Sequence, residues 1–244
     1  RTVTEMSIIR FAEDDFMLIT AATAEWHDKA WLERHMPKDA AFSLTNRTEE
    51  LGTLIVAGPK SREKLAGLTD ADLSQGWLTH QNATVAGKPA LLVRVSFTGE
   101  LGWEIHTAPA DQPTIYDALI EAGVTPFGMF ALDSMRIEKG YRAWKGDLST
   151  DYTLLEAGLD RFVKLERNDD FLGKDALIAQ RDEGLDKRFA MMTIDIGDYD
   201  APYMSTVWKG DELVGEITSG AMGYRCNKFV ALSVLRTDCE PRTL

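Results

Sequence analysis

Arg94-Val95-Ser96-Phe97-Thr98-Gly99-Glu100-Leu101-Gly102-Trp103-Glu104-Ile105-His106 brings together a strand, a glycine turn and an acid at a fixed position. Leu91, Val93, Val95 and Phe97 alternate with Leu92, Arg94 and Ser96, the period of two expected of a strand with one buried face. Gly99 and Gly102 open backbone angles closed to other residues, so the spacing predicts a tight reversal and a return strand over Trp103 to Thr107. On that return strand Glu104 and His106 share one face, and Trp103 and Ile105 share the other. An acid held beside a tight turn has two roles open to it: to face water, or to grip a ligand.

The run from Phe97 to Ile105 resembles the Tyr-Thr-Gly-Glu-x-Gly-x-Glu-Ile signature of the aminomethyltransferase family, the T-protein of the glycine cleavage system and its relatives. That resemblance implies tetrahydrofolate binding. In the family the opening aromatic residue and the acid at the end of the motif lie against the folate, which assigns those places to Phe97 and Glu104. Phenylalanine stands where tyrosine is usual, so one hydroxyl contact is lost.

Toward the N-terminus, Val3, Glu5 and Ser7 alternate with Thr4, Met6 and Ile8, which predicts a strand, and a second one is expected within Phe11 to Thr20 after the Glu13-Asp14-Asp15 turn. Glu5 on its own is a strand glutamate that water would suit. The resemblance gives it another role, that of the acid nearest the transferred carbon, where aspartate is usual. One extra methylene moves a carboxylate by roughly 1.5 Å, and a misplacement on that scale costs about 100-fold in rate. Thr23 to Met36 has a helical pattern with Thr23 as a cap before Glu25 and Pro37 as its stop. His27 and His35 within it have no carboxylate or cysteine at ligand spacing, which favours surface or packing roles over a metal pair. Leu51 to Ala57 reads as a strand joined by Gly58-Pro59-Lys60-Ser61 to a helix over residues 61 to 68, a joint without the glycine spacing of a phosphate loop. Further strands over 78 to 85 and 89 to 97, and a helix over 113 to 122, complete an α+β stretch.

Gly128 to Tyr141 is the second informative stretch. At 100° per residue Met129, Phe130, Leu132, Met135 and Ile137 make an apolar arc that encloses Asp133 and Arg136 and leaves Glu138 outside. A buried arginine needs a partner, because leaving it alone costs several kcal/mol. The residues leave two partners open, Asp133 one turn earlier or a ligand. Ala131-Leu-Asp-Ser-Met-Arg-Ile-Glu-Lys-Gly140 is similar to the family's Ala-Arg-Asp-Ser-Leu-Arg-Leu-Glu-Ala-Gly helix, whose final arginine helps to hold the pterin, and Arg136 is the match. In Tyr141 to Leu148, Trp144 is suited either to stacking on a flat heterocycle or to ordinary core packing. Leu154 to Lys164 is helix-like, and Phe171 to Gln180 is similar to the family's Phe-x-Gly-Lys-x-Ala-Leu. From Phe189 the pattern becomes short strands broken by Gly197, Pro202, Gly210, Gly215 and Gly220, a separate β domain. Val214-Gly-Glu-Ile-Thr-Ser-Gly220 is similar to a run in the family's C-terminal barrel.

The resemblance therefore implies an α+β, multi-domain aminomethyltransferase-like fold, with ferredoxin-like α+β units around a central folate site and a small C-terminal β-barrel. The expected division is residues 1–42 with 139–185, residues 43–138 carrying the folate motif, and residues 186–244 as the β domain. Thr-Glu-Met-Ser, Ala-Thr-Ala-Glu-Trp-His and Trp-Lys-Gly-Asp-Leu-Ser-Thr-Asp-Tyr resemble the folate-binding half of dimethylglycine and sarcosine dehydrogenases more than the free T-protein. In those relatives a flavin domain precedes this region. No Gly-x-Gly-x-x-Gly occurs among these 244 residues, so FAD is expected only on an upstream or separate flavin domain or subunit. The implied chemistry is transfer of a one-carbon unit from an N-methylated amine such as dimethylglycine or sarcosine to tetrahydrofolate. The alternatives are methyl transfer to folate, as in dimethylsulfoniopropionate demethylase, and a non-catalytic folate-binding or assembly module.

Composition bounds the rest. A 44% apolar content is ample for a core. A net charge of -12 argues against nucleic-acid and anionic-membrane surfaces and for small-molecule or protein partners. Cys226 and Cys239 are too few for a disulfide framework, which favours a reducing compartment, the bacterial cytoplasm or the mitochondrial matrix. No run approaches 18 apolar residues and no signal peptide is visible. The opening at Arg1, already inside a strand pattern, suggests a piece of something longer.

Overall fold

A computed structural model describes residues 1–38, 42–195 and 197–239. Contacts divide the chain into two compact units. The first comprises Arg1–Ile8, Leu18–Glu25 and Asp133–Leu244, and the second Ile9–Met17 and Trp26–Leu132. The expected segments 139–185 and 186–244 thus fall together in the first unit, residues 43–132 fall in the second, and the opening 42 residues are shared between them.

A two-stranded sheet, β1 (Met6–Arg10) and β2 (Phe16–Thr20), opens the chain. Its turn is closed by the Phe11 amide on the Asp15 carbonyl at 2.9 Å. Helix α1 (Glu25–His35) follows a single 3-10 turn at Ala22–Ala24, so Thr23 lies within that turn and is not the cap.

The second unit is built on an antiparallel sheet, β3 (Gly52–Ala57), β4 (His80–Val85), β5 (Lys88–Val93) and β6 (Gly102–Thr107), in the order β3-β6-β5-β4. Helices α2 (Ser61–Ala66) and α3 (Gln112–Glu121) complete it. Leu65 of α2 and Ile115 and Leu119 of α3 join Val56, Val85, Leu92, Trp103 and Ile105 in one apolar core. Ile115 and Leu119 stand four apart, so one helical face supplies both. The Gly58-Pro59-Lys60-Ser61 joint works as a strand-to-helix turn: the Gly58 amide and the Ser61 hydroxyl both donate to the Leu101 carbonyl, at 2.7 and 2.9 Å. These bonds tie the start of α2 to the loop that precedes β6.

In the first unit β7 (Lys187–Ile194), β8 (Thr206–Lys209), β9 (Glu212–Gly223) and β10 (Lys228–Arg236) form a second antiparallel sheet, ordered β7-β10-β9-β8. Val230 and Leu232 of β10, with Ala221 of β9, pack on Ile137 of helix α4 (Met129–Glu138). Helix α5 (Lys174–Glu183) begins at Gly173, whose left-handed backbone (φ 89°) needs no side chain to be accommodated.

The expected helix-like run over 154 to 164 is a chain of turns. Thr153 and Glu156 form a reciprocal cap, with the Thr153 amide 2.8 Å from the Glu156 carboxylate and the Glu156 amide 3.2 Å from the Thr153 hydroxyl. Gly158 at φ 64° then breaks the turn, and only a 3-10 turn, Asp160–Phe162, follows. The apolar arc of α4 needs a similar correction. Ser134, Arg136 and Ile137 are its buried residues, while Met129 and Phe130 are 70% and 95% exposed. Among the described residues no helix is long and apolar enough to cross a membrane.

Candidate functional site

β6 alternates as its sequence dictates: Trp103 and Ile105 enter the apolar core, and Glu104 and His106 occupy the opposite face. The hairpin to β5 is present, with Leu91 opposite His106, Leu92 opposite Ile105 and Val93 opposite Glu104. Pairing stops at Val93, earlier than the alternation suggests. The Arg94 amide turns to the Thr79 carbonyl at 2.8 Å, and the Leu78 amide donates to the Arg94 carbonyl at 3.1 Å. Phe97 therefore sits half-buried in the connecting loop, not in a strand.

That loop is held from within. Ser96 and Thr98 hydroxyls lie 2.7 Å apart, Thr98 is buried, and Gly99 takes φ 73°. At Gly102 an added Cβ would lie 2.9 Å from the Val56 carbonyl oxygen and 3.0 Å from Ser96 Cβ. The close approach of three backbone segments thus requires glycine there. Arg94 lays its guanidinium over the Trp103 ring, 4.8 Å from the centroid, with Arg62 at 6.0 Å from the same ring. Burial, and then the like charge of Arg62, push the Arg94 guanidinium below its ordinary pKa.

Glu104 is partly open, its side chain 21% exposed, while the His106 ring is 3% exposed. Glu104 Oε2 lies 3.2 Å from His106 Nε2. The contact is within ion-pair distance but off line for a hydrogen bond, so Nε2 has no aligned acceptor. His106 Nδ1 is 2.9 Å from the hydroxyl of Thr53, its register partner on β3.

In the first unit the α4 arginine is the centre of a buried ionic cluster. Arg136 Nε donates to Asp133 at 2.7 Å, and Nη1 donates to Asp147 at 2.7 Å and to the Tyr141 carbonyl at 3.1 Å. Nη2 donates to the Ser219 hydroxyl at 3.0 Å. Asp147, with no exposed surface, also accepts from Thr218 at 2.6 Å, from Ser219 at 3.0 Å and from the Ala143 amide at 2.9 Å. The loop 143–148 wraps this carboxylate, with Lys145 at φ 74° and the Lys145 amide on the Leu148 carbonyl at 2.7 Å. The helical Asp133 pair is thus one of two, and the fully buried partner is Asp147.

Trp144, in the same loop, is half-buried, and its indole Nε1–H is buried without an acceptor. Glu5 is exposed and lies one residue before β1, not within it. Nearby, the Thr2 amide donates to the Tyr152 carbonyl at 2.8 Å, and the Tyr152 hydroxyl to Glu216 at 2.6 Å. Burial first, and Glu216 second, raise the Tyr152 pKa.

Of the residues selected from sequence, Phe97 and Glu104 belong to the second unit, and Glu5, Arg136 and Trp144 to the first. His27 and His35 find local partners, the Asp28 carboxylate and the Trp31 carbonyl, each at 2.8 Å. No group of three or more metal-ligating side chains occurs among the described residues. Five polar residues at these centres, Thr53, His106, Asp147, Thr218 and Ser219, escaped the sequence reading as participants. His106 carried a usable signal, its shared face with Glu104. Thr53 carried none, its partner standing 53 residues away, and Asp147, Thr218 and Ser219 carried none, because their mutual contacts and those with Arg136 span 11 to 83 residues without a regular spacing.

Comparison with known proteins places this geometry in a family. Residues 1–167 match the model described as the GCVT N-terminal domain. Human mitochondrial dimethylglycine dehydrogenase is 36% identical over 241 residues, covering 96% of this chain and 28% of that protein. The aminomethyltransferase of Listeria monocytogenes serotype 4a is 33% identical over 243 residues, covering 97% of this chain and 65% of that protein. Mouse mitochondrial sarcosine dehydrogenase is 38% identical over 202 residues, covering 79% of this chain and 22% of that protein. The chain therefore spans under a third of the dehydrogenases and just under two thirds of the aminomethyltransferase. The crystal structure of the glycine cleavage system aminomethyltransferase T from Bartonella henselae superposes with a TM-score of 0.83 over 97% of this chain and 64% of that one, at 21% identity, which establishes a shared α+β fold. The motif at Phe97 to Ile105, the family model and the fold agree, and the chain belongs to the GCVT aminomethyltransferase family.

Proposed function

We propose that this chain is the folate-dependent module of an enzyme that moves a one-carbon unit from an N-methylated amine, of the dimethylglycine or sarcosine kind, to tetrahydrofolate, giving the 5,10-methylene form. The observation that carries the reading is the state of Glu104. Its Oε2 lies 3.2 Å from His106 Nε2, within ion-pair distance, and its side chain is 21% exposed. The pterin of a folate presents an edge of N–H donors, and a partly open carboxylate beside a buried imidazole is an acceptor suited to it. Phe97, in the loop that ends at β6, supplies an aromatic surface for the ring. The residues present fit the group. When bound, folate supplies the nucleophilic nitrogens.

The protein's task is then placement and charge. Glu104 binds and orients the pterin edge. Glu5 orients the amine and balances positive charge on the donor. Within the first unit Arg136 acts through its cluster with Asp147, fixing the loop that carries Trp144, and Trp144 has a ring face, and a buried N–H without an acceptor, suited to a flat heterocycle. Residues 186–244 are the C-terminal β module of a three-part layout, its four-stranded sheet being part of a small barrel. The methylene product requires that the N-methyl carbon first lose two electrons, to a flavin domain or subunit outside these residues, so that it reaches this module as an iminium or formaldehyde equivalent.

Calorimetric titration with 5-formyl-tetrahydrofolate tests the reading. Saturable binding that Glu104→Gln removes is expected, and an unchanged affinity in that variant takes Glu104 out of the site. Product analysis separates the one-carbon routes, since methyl transfer would yield 5-methyl-tetrahydrofolate in place of the methylene form.

A further inference from the structure

We propose that Thr53 and His106 form a hydrogen-bond relay that fixes the Glu104 carboxylate in place, making His106 a positioning residue for the ligand that Glu104 takes. The inference rests on the reading of Glu104 as a folate acceptor, and it concerns two residues that reading does not use.

The register sets the relay up. Thr53 is paired with His106, and Ile55 with Glu104, across β3 and β6. Paired residues of an antiparallel ladder point to the same face, so Thr53, His106 and Glu104 share the face opposite Trp103 and Ile105. The Thr53 hydroxyl is 2.9 Å from Nδ1, and Nε2 is 3.2 Å from Glu104 Oε2. The imidazole between them is buried to 3% exposure.

The chemistry of the two ends decides where the protons sit. An ionised carboxylate only accepts, so the imidazole nitrogen that faces it carries a hydrogen. A neutral ring with its hydrogen on Nε2 has a lone pair on Nδ1, and the Thr53 hydroxyl then donates to it. In the neutral ring every group in the chain Thr53 to His106 to Glu104 has one direction. The Glu104 carboxylate selects the tautomer, the Thr53 hydroxyl satisfies the lone pair left on Nδ1, and together they keep a donor aimed at Oε2.

The Nε2–Oε2 contact is not aligned as a hydrogen bond in the ligand-free protein. A small rotation of the Glu104 side chain would align it, and Oε1 is the oxygen left for a ligand. Bonds of this kind are commonly loose before the ligand arrives and tighten when it does. The relay therefore restricts the carboxylate to orientations that present Oε1, reducing the rotamer freedom lost on binding.

The experiment has two independent readouts. Nitrogen NMR of imidazole-labelled protein, with His106 assigned by its loss in His106→Gln, reads the tautomer without any ligand. The neutral Nε2–H form is expected in the native protein and in Thr53→Ser, and a mixture of tautomers in Thr53→Val. Calorimetry with 5-formyl-tetrahydrofolate reads the consequence. His106→Leu should weaken binding about tenfold or more, the size of one charge-assisted bond, and Thr53→Val by about twofold to fivefold, the factor by which a mixed tautomer lowers the competent population. His106→Gln, whose amide still offers a donor toward Oε2, should stay within about threefold of the native value by the same reasoning. An Nδ1–H tautomer in the native protein overturns the relay. So does native-like affinity in both Thr53→Val and His106→Leu when Glu104→Gln abolishes binding. If the native protein does not bind folate, the reading of Glu104 as a folate acceptor falls, and the tautomer decides alone: an Nε2–H form lost in Thr53→Val upholds the positioning of Glu104 for another ligand.

Discussion

Replacing Asp147 by asparagine removes one charge from the buried cluster on α4 and keeps the shape of the side chain. The asparagine carbonyl can take the place of Oδ2 and still accept from Ala143, Ser219 and Arg136, while the Thr218 hydroxyl, now facing an amide, reverses to accept. What is lost is the counter-charge of a guanidinium whose side chain is 6% exposed. Breaking a buried pair by removing one partner costs about 3–5 kcal/mol. Because the hydrogen bonds survive, the low end, about 3 kcal/mol, is expected. Asp133→Asn removes the other carboxylate from the same arginine, but that side chain is 44% exposed, and exposed pairs contribute about 0.2–1 kcal/mol. With a urea slope of about 2 kcal/mol per molar, Asp147→Asn should lower the unfolding midpoint by roughly 1.5 M and Asp133→Asn by less than roughly 0.5 M. Urea titrations at pH 7 followed by circular dichroism measure both. Equal shifts for the two variants, or a shift under roughly 0.3 M for Asp147→Asn, would refute the argument that burial sets the value of each pair.

The Tyr152 pKa is raised in the folded state, so the stability this phenol supplies is full below its ordinary pKa of about 10 and is lost as pH rises through the folded value. Urea midpoints from pH 8 to 11 should fall in the native protein and fall less in Tyr152→Phe; parallel curves would remove Tyr152 as the cause. Gly102→Ala, with its Cβ against the Val56 carbonyl, should cost about 1–3 kcal/mol. Gly76→Ala, which has open space around it, should stay within about 0.5 kcal/mol, and thermal unfolding of the pair decides. For Glu5→Ala, assayed in the full-length enzyme, kcat should drop about 100-fold with folate affinity nearly unchanged. Unaltered turnover would favour a non-catalytic folate-binding module.

The second unit was largely legible in its sequence, because its elements follow local rules. Period-two alternation separated Trp103 and Ile105 from Glu104 and His106, the structure puts the first pair in the core, and the Gly-Pro-Lys-Ser joint behaved as a turn into a helix. The end of β5 was not legible. Val95 and Phe97 continue the alternation, but Arg94 continues the pairing with the β4 side, at Leu78 and Thr79, and the residues after it leave the ladder with β6, which alternation alone does not show. Helix α4 shows a second limit. A wheel weights every apolar residue alike, yet Ser134 is buried because its hydroxyl donates to the Met222 carbonyl at 2.6 Å, and Arg136 because it has two acids. Phe130, one turn earlier on the stripe of Ser134, stays exposed, so the stripe is covered only in its C-terminal half. The charges inside the arc were visible in the sequence; Asp147, their deepest partner, was not.

The sequence separations within the Asp147 cluster have a kinetic meaning. Asp147 reaches Thr218 and Ser219 across 71 and 72 positions, and Arg136 reaches Ser219 across 83. Contacts of such length form late, after the intervening chain has lost most of its freedom. A carboxylate and a guanidinium that are enclosed only when β9 arrives contribute little to the rate-limiting ensemble for folding. Substitutions at Asp147 should therefore leave the refolding rate nearly unchanged and accelerate unfolding, so that the cluster acts as a latch on the lifetime of the folded first unit.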